Sequence, residues 1–168
     1  MNLDKKEREI MSDYLEHTFS ADSIDLISAI DELPFWSAPF GLRLLEKIEY
    51  QENITGLDIG CGMGFPLLEV ANRIGKSGKM YGIDPWVEAI KRVNKKIEYF
   101  NISNAFAIEA KAENLPFDDN YFNLIMSNNG LNNVEDFEVS LKECARVAKQ
   151  NAQLVYTYNL PDTMIEFY

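Results

Sequence analysis

Three glycines at alternate positions, Gly60, Gly62 and Gly64, constrain this chain more than any other feature. An apolar run from Ile54 to Ile59 precedes them, and Leu67, Leu68, Val70, Ala71 and Ile74 follow at helical spacing. The order predicts a strand, a tight glycine turn and a helix. Glycine takes positive φ readily and puts no Cβ between the loop and whatever lies on it. The first turn of the helix leaves N–H groups without intrahelical partners, aimed at the same place. A ligand end that is anionic or accepts hydrogen bonds is favoured there; the alternative is a glycine-rich connection that binds nothing.

Glycine spacing narrows the ligand. A dinucleotide fingerprint reads G-x-G-x-x-G, its third glycine letting the helix approach the strand. Counted from Gly60, that third position is Phe65, and counted from Gly62 the pattern fails as well. The stretch reads instead as Asp58-Ile59-Gly60-Cys61-Gly62-Met63-Gly64, G-x-G-x-G preceded by an acidic residue. At this point the chain resembles the class I S-adenosylmethionine-dependent methyltransferases, in which the segment wraps the methionine end of the cofactor.

Two further segments follow in the family's order. Lys79–Ile83 reads as a second strand ending in Asp84-Pro85-Trp86, which places a carboxylate about 20 positions past the glycines, where a ribose presents two hydroxyls. A carboxylate accepts both hydrogen bonds at once. The same position also suits a helix N-cap for Asp84, and Trp86 either lies against an adenine or packs. Ala112-Glu113-Asn114-Leu115-Pro116-Phe117 resembles the family's adenine-binding segment, D-A-E-x-L-P-F, with Lys111 where the family has its leading aspartate. An ammonium cannot accept from an adenine amino group, which leaves the backbone at Ala112 and Glu113 to read the ring edge.

The resemblance implies an α/β fold, a doubly wound Rossmann-like parallel sheet of about five strands with helices on both faces. It implies S-adenosyl-L-methionine as cofactor, held by Asp58, Gly60, Cys61, Gly62, Met63, Gly64, Asp84, Pro85, Trp86, Ala112, Glu113 and Asn128. It implies methyl transfer to a small-molecule acceptor. Asn128 opens the run Asn128-Asn129-Gly130-Leu131-Asn132-Asn133 beyond the fourth strand, where ligands lie in such sheets. The family's amine-directed pattern, an acidic residue or Asn before Pro-Pro-aromatic, is absent there. No general base emerges; Tyr14 and His17 are the candidates in the N-terminal part. A nicotinamide-dependent dehydrogenase and a non-catalytic cofactor-binding or partner module are the alternatives.

Around this core the periodicity predicts helices over 5–19 and 23–30, an aromatic segment holding Phe35, Trp36 and Phe40, and a helix from Phe40 to Tyr50. Residues 1–50 read as a helical cap or lid and 51–168 as the cofactor-binding core, together one compact unit. A helix from Trp86 to Phe100 turns Val87, Ile90, Val93 and Ile97 inward and exposes Lys91, Arg92, Lys95 and Lys96. Strands over Ala105–Ile108 and Tyr121–Met126, a helix over Phe137–Ala148 with Leu141, Cys144, Ala145 and Ala148 on its apolar side, and a fifth strand over Ala152–Tyr158 complete the reading. The family fold carries two more strands, so the chain reads as a fragment. Its open fifth-strand edge is expected to pair with another chain, as in a homodimer, or to be covered by residues 159–168.

Composition excludes several partners. With 168 residues, 46% hydrophobic and 26% charged, the chain is one soluble domain's worth. No apolar run approaches the roughly 20 residues that span a bilayer, and the charged N-terminus lacks a signal peptide's apolar centre, which places the protein in the cytoplasm, off the membrane. Two separated cysteines, Cys61 and Cys144, and one histidine give neither a disulfide framework nor a metal site. Net charge is −11, and residues 1–52 alone hold twelve Asp/Glu against five Lys/Arg. A phosphate backbone needs a basic face, so a nucleic-acid partner is disfavoured.

Overall fold

The strand that delivers the glycine loop lies at the centre of the sheet. In this computed structural model, which describes residues 37–160 together with Ser28 and Asp31, five parallel strands run in the order β3-β2-β1-β4-β5. They are β1 (Thr55–Ile59), β2 (Lys79–Asp84), β3 (Ala105–Glu109), β4 (Phe122–Asn128) and β5 (Ala148–Thr157). The helices are α1 (Ala38–Lys47), α2 (Leu67–Ile74), α3 (Val87–Tyr99) and α4 (Phe137–Val147). The helices expected over 5–19 and 23–30, the aromatics Phe35 and Trp36, and Tyr14 and His17 lie outside the described residues, Ser28 excepted.

From β1 the chain steps outward through β2 to β3, then crosses back to place β4 on the other side of β1. That reversal opens a crevice beyond the carboxyl ends of β1 and β4. Alternation along the central strands builds a core on each face. Leu57 and Ile59, both buried, join Ile83, Phe122, Ile125, Cys144 and Val147 against α4. The opposite face packs Met80, Leu124 and Met126 under Leu44 and Leu45 of α1, Leu67 and Val70 of α2, and Ile90 and Val93 of α3. Strands buried on both faces read as continuous apolar runs, as these do. Gly75 ends α2 at φ +61°, its N–H reaching Ala71 O, which is the expected cap.

Several expectations change, beginning with the helix expected from Phe40 to Tyr50, which spans Ala38–Lys47. The fifth strand begins at Ala148 rather than Ala152 and ends at Thr157, because Ala148 already pairs with Phe122 before a bulge that restarts pairing at Gln153 and Leu124. Asn151, at φ +65°, turns the chain inside that bulge. On α4, Ala145 is exposed and Val147 takes the buried place. Val87, expected inward on α3, is 39% exposed.

The Leu115–Asp119 loop, which has no helix of its own, is held by α4. Arg146 donates from Nη1 to Phe117 O (2.8 Å) and Asp119 Oδ1 (2.8 Å), and from Nη2 to Leu115 O (3.0 Å). Glu143, itself bonded to Arg146, accepts the Leu115 amide at 2.8 Å. That arrangement fixes the end of the segment resembling an adenine site. Replacing Arg146 with Met should lower unfolding free energy by about 1.5–3 kcal/mol, the range for hydrogen bonds to a charged group, measured by urea denaturation with the far-ultraviolet spectrum retained.

Candidate functional site

Beyond the strand ends lies a cavity of about 370 Å³, within the size range of small-molecule sites. Its walls come from the ends of β1 (Ile59, Gly60), β2 (Ile83, Asp84, Pro85, Trp86), β3 (Ala110 to Glu113) and β4 (Asn128 to Gly130, Asn133 to Glu135). The structure thus brings together Gly60, Asp84, Pro85, Trp86, Ala112, Glu113 and Asn128 of the expected residues. Asp58, Cys61, Gly62, Met63 and Gly64 do not line it; they form the strand end and loop beside it.

Asp84 joins loop to cavity. Its Oδ2 accepts the Gly62 amide at 2.9 Å and its Oδ1 the Trp86 amide at 2.8 Å. The second bond gives the turn before α3 its shape, although Trp86 rather than Asp84 is the N-cap residue. Each oxygen keeps a further lone pair for a ligand hydroxyl. At Gly62, φ is +50° and an added Cβ would meet nothing within 4 Å, so the loop presents bare backbone to open space. Where β1 and β4 leave the sheet, Gly60 and Gly130 cross: a Cβ on Gly60 would come 2.5 Å from Gly130 Cα, and one on Gly130 2.2 Å from Ile59 O. Only glycine fits at either place. Ser127, buried beneath, donates to Ile59 O (2.8 Å) and accepts the Leu131 amide (3.0 Å), fixing the same crossing.

Asp58 is fully buried, and neither carboxylate oxygen has a hydrogen-bond partner of ordinary geometry among the described residues. Burial pushes its pKa well above the usual carboxylate range, the Asp84 charge adds to this, and the Leu67 amide at the start of α2 offsets only part. Burial, with the charges of Asp58 and Asp84, likewise keeps the Cys61 thiol protonated and a poor nucleophile. Orphaned buried oxygens beside a bare glycine loop are short of a donor or a cation. A cofactor with a cationic amino-acid end and a ribose fits this set: cation towards the loop, hydroxyls on Asp84, a flat ring towards Ala110–Glu113.

At the far end, the Glu113, Lys111 and Asn128 side chains are engaged within the protein. Burial alone would raise Glu113, but the Asp136, Glu113 and Glu135 amides hold its carboxyl below the ordinary range. Its Oε1 accepts from Glu135 N (2.7 Å) and Asp136 N (3.1 Å), tying the loop after β3 to the segment leading into α4. Lys111 pairs with Glu135 at 2.5 Å, bridging the same two segments. Asn128 donates from Nδ2 to Ser37 O (2.9 Å), and its Oδ1 lies 3.1 Å from Thr157 Oγ1. Glu135 carried no signal in the sequence that marked it as a cavity wall, whereas Gly130 falls in the run beyond the fourth strand where ligands are expected. Among the described residues no cluster of His, Cys, Asp or Glu could hold a metal, and no helix is long and apolar enough to cross a membrane.

The family model described as a methyltransferase domain matches residues 57–156, a span that contains the glycine loop, Asp84 and the cavity walls. A demethylmenaquinone methyltransferase from Geobacillus sp. (strain WCH70) is 30% identical over 123 residues, 73% of this chain and 53% of that protein. A 2-phytyl-1,4-naphtoquinone methyltransferase from Nostoc punctiforme is 38% identical over 100 residues, 59% of this chain and 44% of that one. The chain thus spans about half the length of the curated relatives it matches. A solved S-adenosylmethionine-dependent methyltransferase from Aquifex aeolicus shares the fold, with a TM-score of 0.69 at 24% identity, over 87% of this chain and 78% of that one.

The Asp58 burial generates a test. A carboxyl raised on folding binds more protons folded than unfolded, so its contribution to stability is full below its unfolded value and is lost as pH rises through its folded one. Asp58→Asn removes that titration. The variant's melting temperature should gain on the wild type as pH rises above the ordinary carboxylate range; a constant difference would contradict the assignment.

Proposed function

Because the chain belongs to the class I S-adenosylmethionine-dependent methyltransferase family, we propose that it binds S-adenosylmethionine in the crevice beyond β1, β2 and β4 and transfers the methyl group to a carbon of a quinol-type small molecule. The observation that carries the cofactor reading is Asp84, which holds the Gly62 amide while keeping lone pairs for two ribose hydroxyls. Gly60 and Gly62 leave room for the amino-acid end. Ala110 to Glu113 offer backbone to the ring edge, with the Lys111–Glu135 pair closing that side.

The bound cofactor supplies an already activated methyl group on a sulfonium, which leaves as a neutral thioether. The protein's task is therefore to align a nucleophile and exclude water. The cavity carboxylates are each engaged: Glu113 is held low by amides, Glu135 pairs with Lys111, and Asp84 accepts the Gly62 and Trp86 amides. Asn128 is tied to Ser37 O through its amide nitrogen and to Thr157 through its amide oxygen. An acceptor that generates its own nucleophile suits this site. A quinol does so: one hydroxyl gives its proton to solvent, the adjacent ring carbon bonds to the methyl carbon as the S–CH3 bond breaks to the neutral thioether, and the proton on that ring carbon then passes to the ring oxygen, restoring the aromatic hydroxyl. The relatives named for demethylmenaquinone and phytylnaphthoquinone methylation support this acceptor class.

The same reading places the protein in the cytoplasm, consistent with two free cysteines, acting on a small molecule rather than a nucleic acid. It assigns the edge of β5, which no described strand covers and where Leu154 and Tyr156 are exposed, to pairing with a second copy. Sedimentation equilibrium should give a dimer for the wild type and a monomer for Leu154→Lys; a monomeric wild type would remove the pairing.

Calorimetry tests the cofactor. S-Adenosylhomocysteine should bind the wild type, and Asp84→Ala should weaken binding by about 1.5–3 kcal/mol, roughly 10- to 150-fold. Heat from NADH but none from S-adenosylhomocysteine would overturn the assignment.

A further inference from the structure

Four cations on α3 look from the sequence like a solvated face, yet two of them converge on one carboxylate. Asp31 accepts from Arg92 Nε at 2.7 Å and from Lys96 Nζ. Its side chain is only 10% exposed and that of Lys96 25%. The Lys96 ammonium makes a second contact that matters more: it donates to the Met63 carbonyl at 2.8 Å.

Met63 sits between two glycines at positive φ, Gly62 at +50° and Gly64 at +105°. Such a peptide has little steric resistance to turning, so its orientation depends on what holds its polar ends. The Met63–Gly64 peptide is held at both. Its N–H donates to Cys61 O at 2.9 Å, and its C=O receives the Lys96 ammonium. One residue earlier, the Gly62 amide is fixed from the other side by Asp84. The loop is therefore anchored from β2 by a carboxylate and from α3 by an ammonium, and the ammonium is aimed by Asp31. A flexible four-carbon stem loses rotamer freedom when it reaches such a carbonyl. The Asp31 ion pair absorbs that loss before any ligand arrives.

We propose that Lys96 is a positioning residue for the glycine loop and that Asp31, paired with it, couples its own docking on α3 to the loop's readiness for cofactor. This rests on the cofactor reading above for its binding consequence and on the apo geometry for the rest. Neither residue touches the cavity, so each acts through Met63. The coupling is reciprocal: cofactor that orders the loop favours the Asp31 contact.

Hydrogen exchange and calorimetry on the full chain test this with Lys96→Met, Lys96→Arg, Asp31→Asn and the double variant D31N/K96M. In the ligand-free protein, Lys96→Met should speed exchange of the Gly64 amide at least tenfold, with Asp31→Asn smaller and in the same direction. S-Adenosylhomocysteine should bind about tenfold more weakly to Lys96→Met, with Lys96→Arg recovering most of the loss. The double variant should be no worse than Lys96→Met alone, since Asp31 acts through Lys96. Unchanged Gly64 exchange in Lys96→Met would overturn the positioning role. Independent, additive losses would overturn the coupling to Asp31. A wild type that binds no S-adenosylhomocysteine would sink the cofactor reading instead, and the exchange measurement would still decide the role of Lys96.

Discussion

The hydrogen bond from the Gly62 amide to the Asp84 carboxylate is the contact on which the site depends. It joins the loop leaving β1 to the end of β2, and so converts two parallel strand ends into one wall. Everything that makes it feasible is steric. Gly62 must take positive φ, Gly60 must pass within contact of Gly130, and Gly82 lies where a Cβ would come 2.6 Å from Leu67 and 2.8 Å from Cys61. Larger residues at these places would push the loop off the sheet and Asp84 away from it. The buried Ser127 then locks the crossing from below with two hydrogen bonds.

Features that depend on local chain chemistry were legible in the sequence. The strand–glycine–helix order, the cap at Gly75 and the acidic end of β2 all follow from residues within a few positions of one another, where periodicity and φ preference act directly. The doubly wound sheet follows from that alternation of strands and helices. What was not legible is set by partners far along the chain. Lys96 and Arg92 have the spacing of an exposed helix face, and nothing near them in sequence reveals Asp31, more than sixty residues earlier. Glu113 looks like a ligand-reading side chain until Glu135 and Asp136 occupy it. The early start of β5 depends on Ala148 pairing with Phe122 across the sheet before Asn151, at φ +65°, turns the chain within the bulge.

Electrostatics divides the site into two halves with different tasks. Around the glycine loop, Asp84 presents its carboxylate where a cationic cofactor end would rest, while Asp58 lies fully buried beneath, its burial offset only in part by the Leu67 amide. At the opposite end, charges cancel in pairs, Lys111 with Glu135 and Glu113 with backbone amides, which leaves structure rather than reactivity.

The account turns on whether adenosine and amino acid together occupy the crevice between Asp84 and Gly60–Gly62. A crystal structure of the protein with S-adenosylhomocysteine measures this directly. The account predicts both ribose hydroxyls within hydrogen-bond distance of the Asp84 oxygens, the amino-acid end against Gly60 and Gly62, and the ring beside Ala112. A ligand seated elsewhere, or a ribose that leaves Asp84 uncontacted, would contradict it.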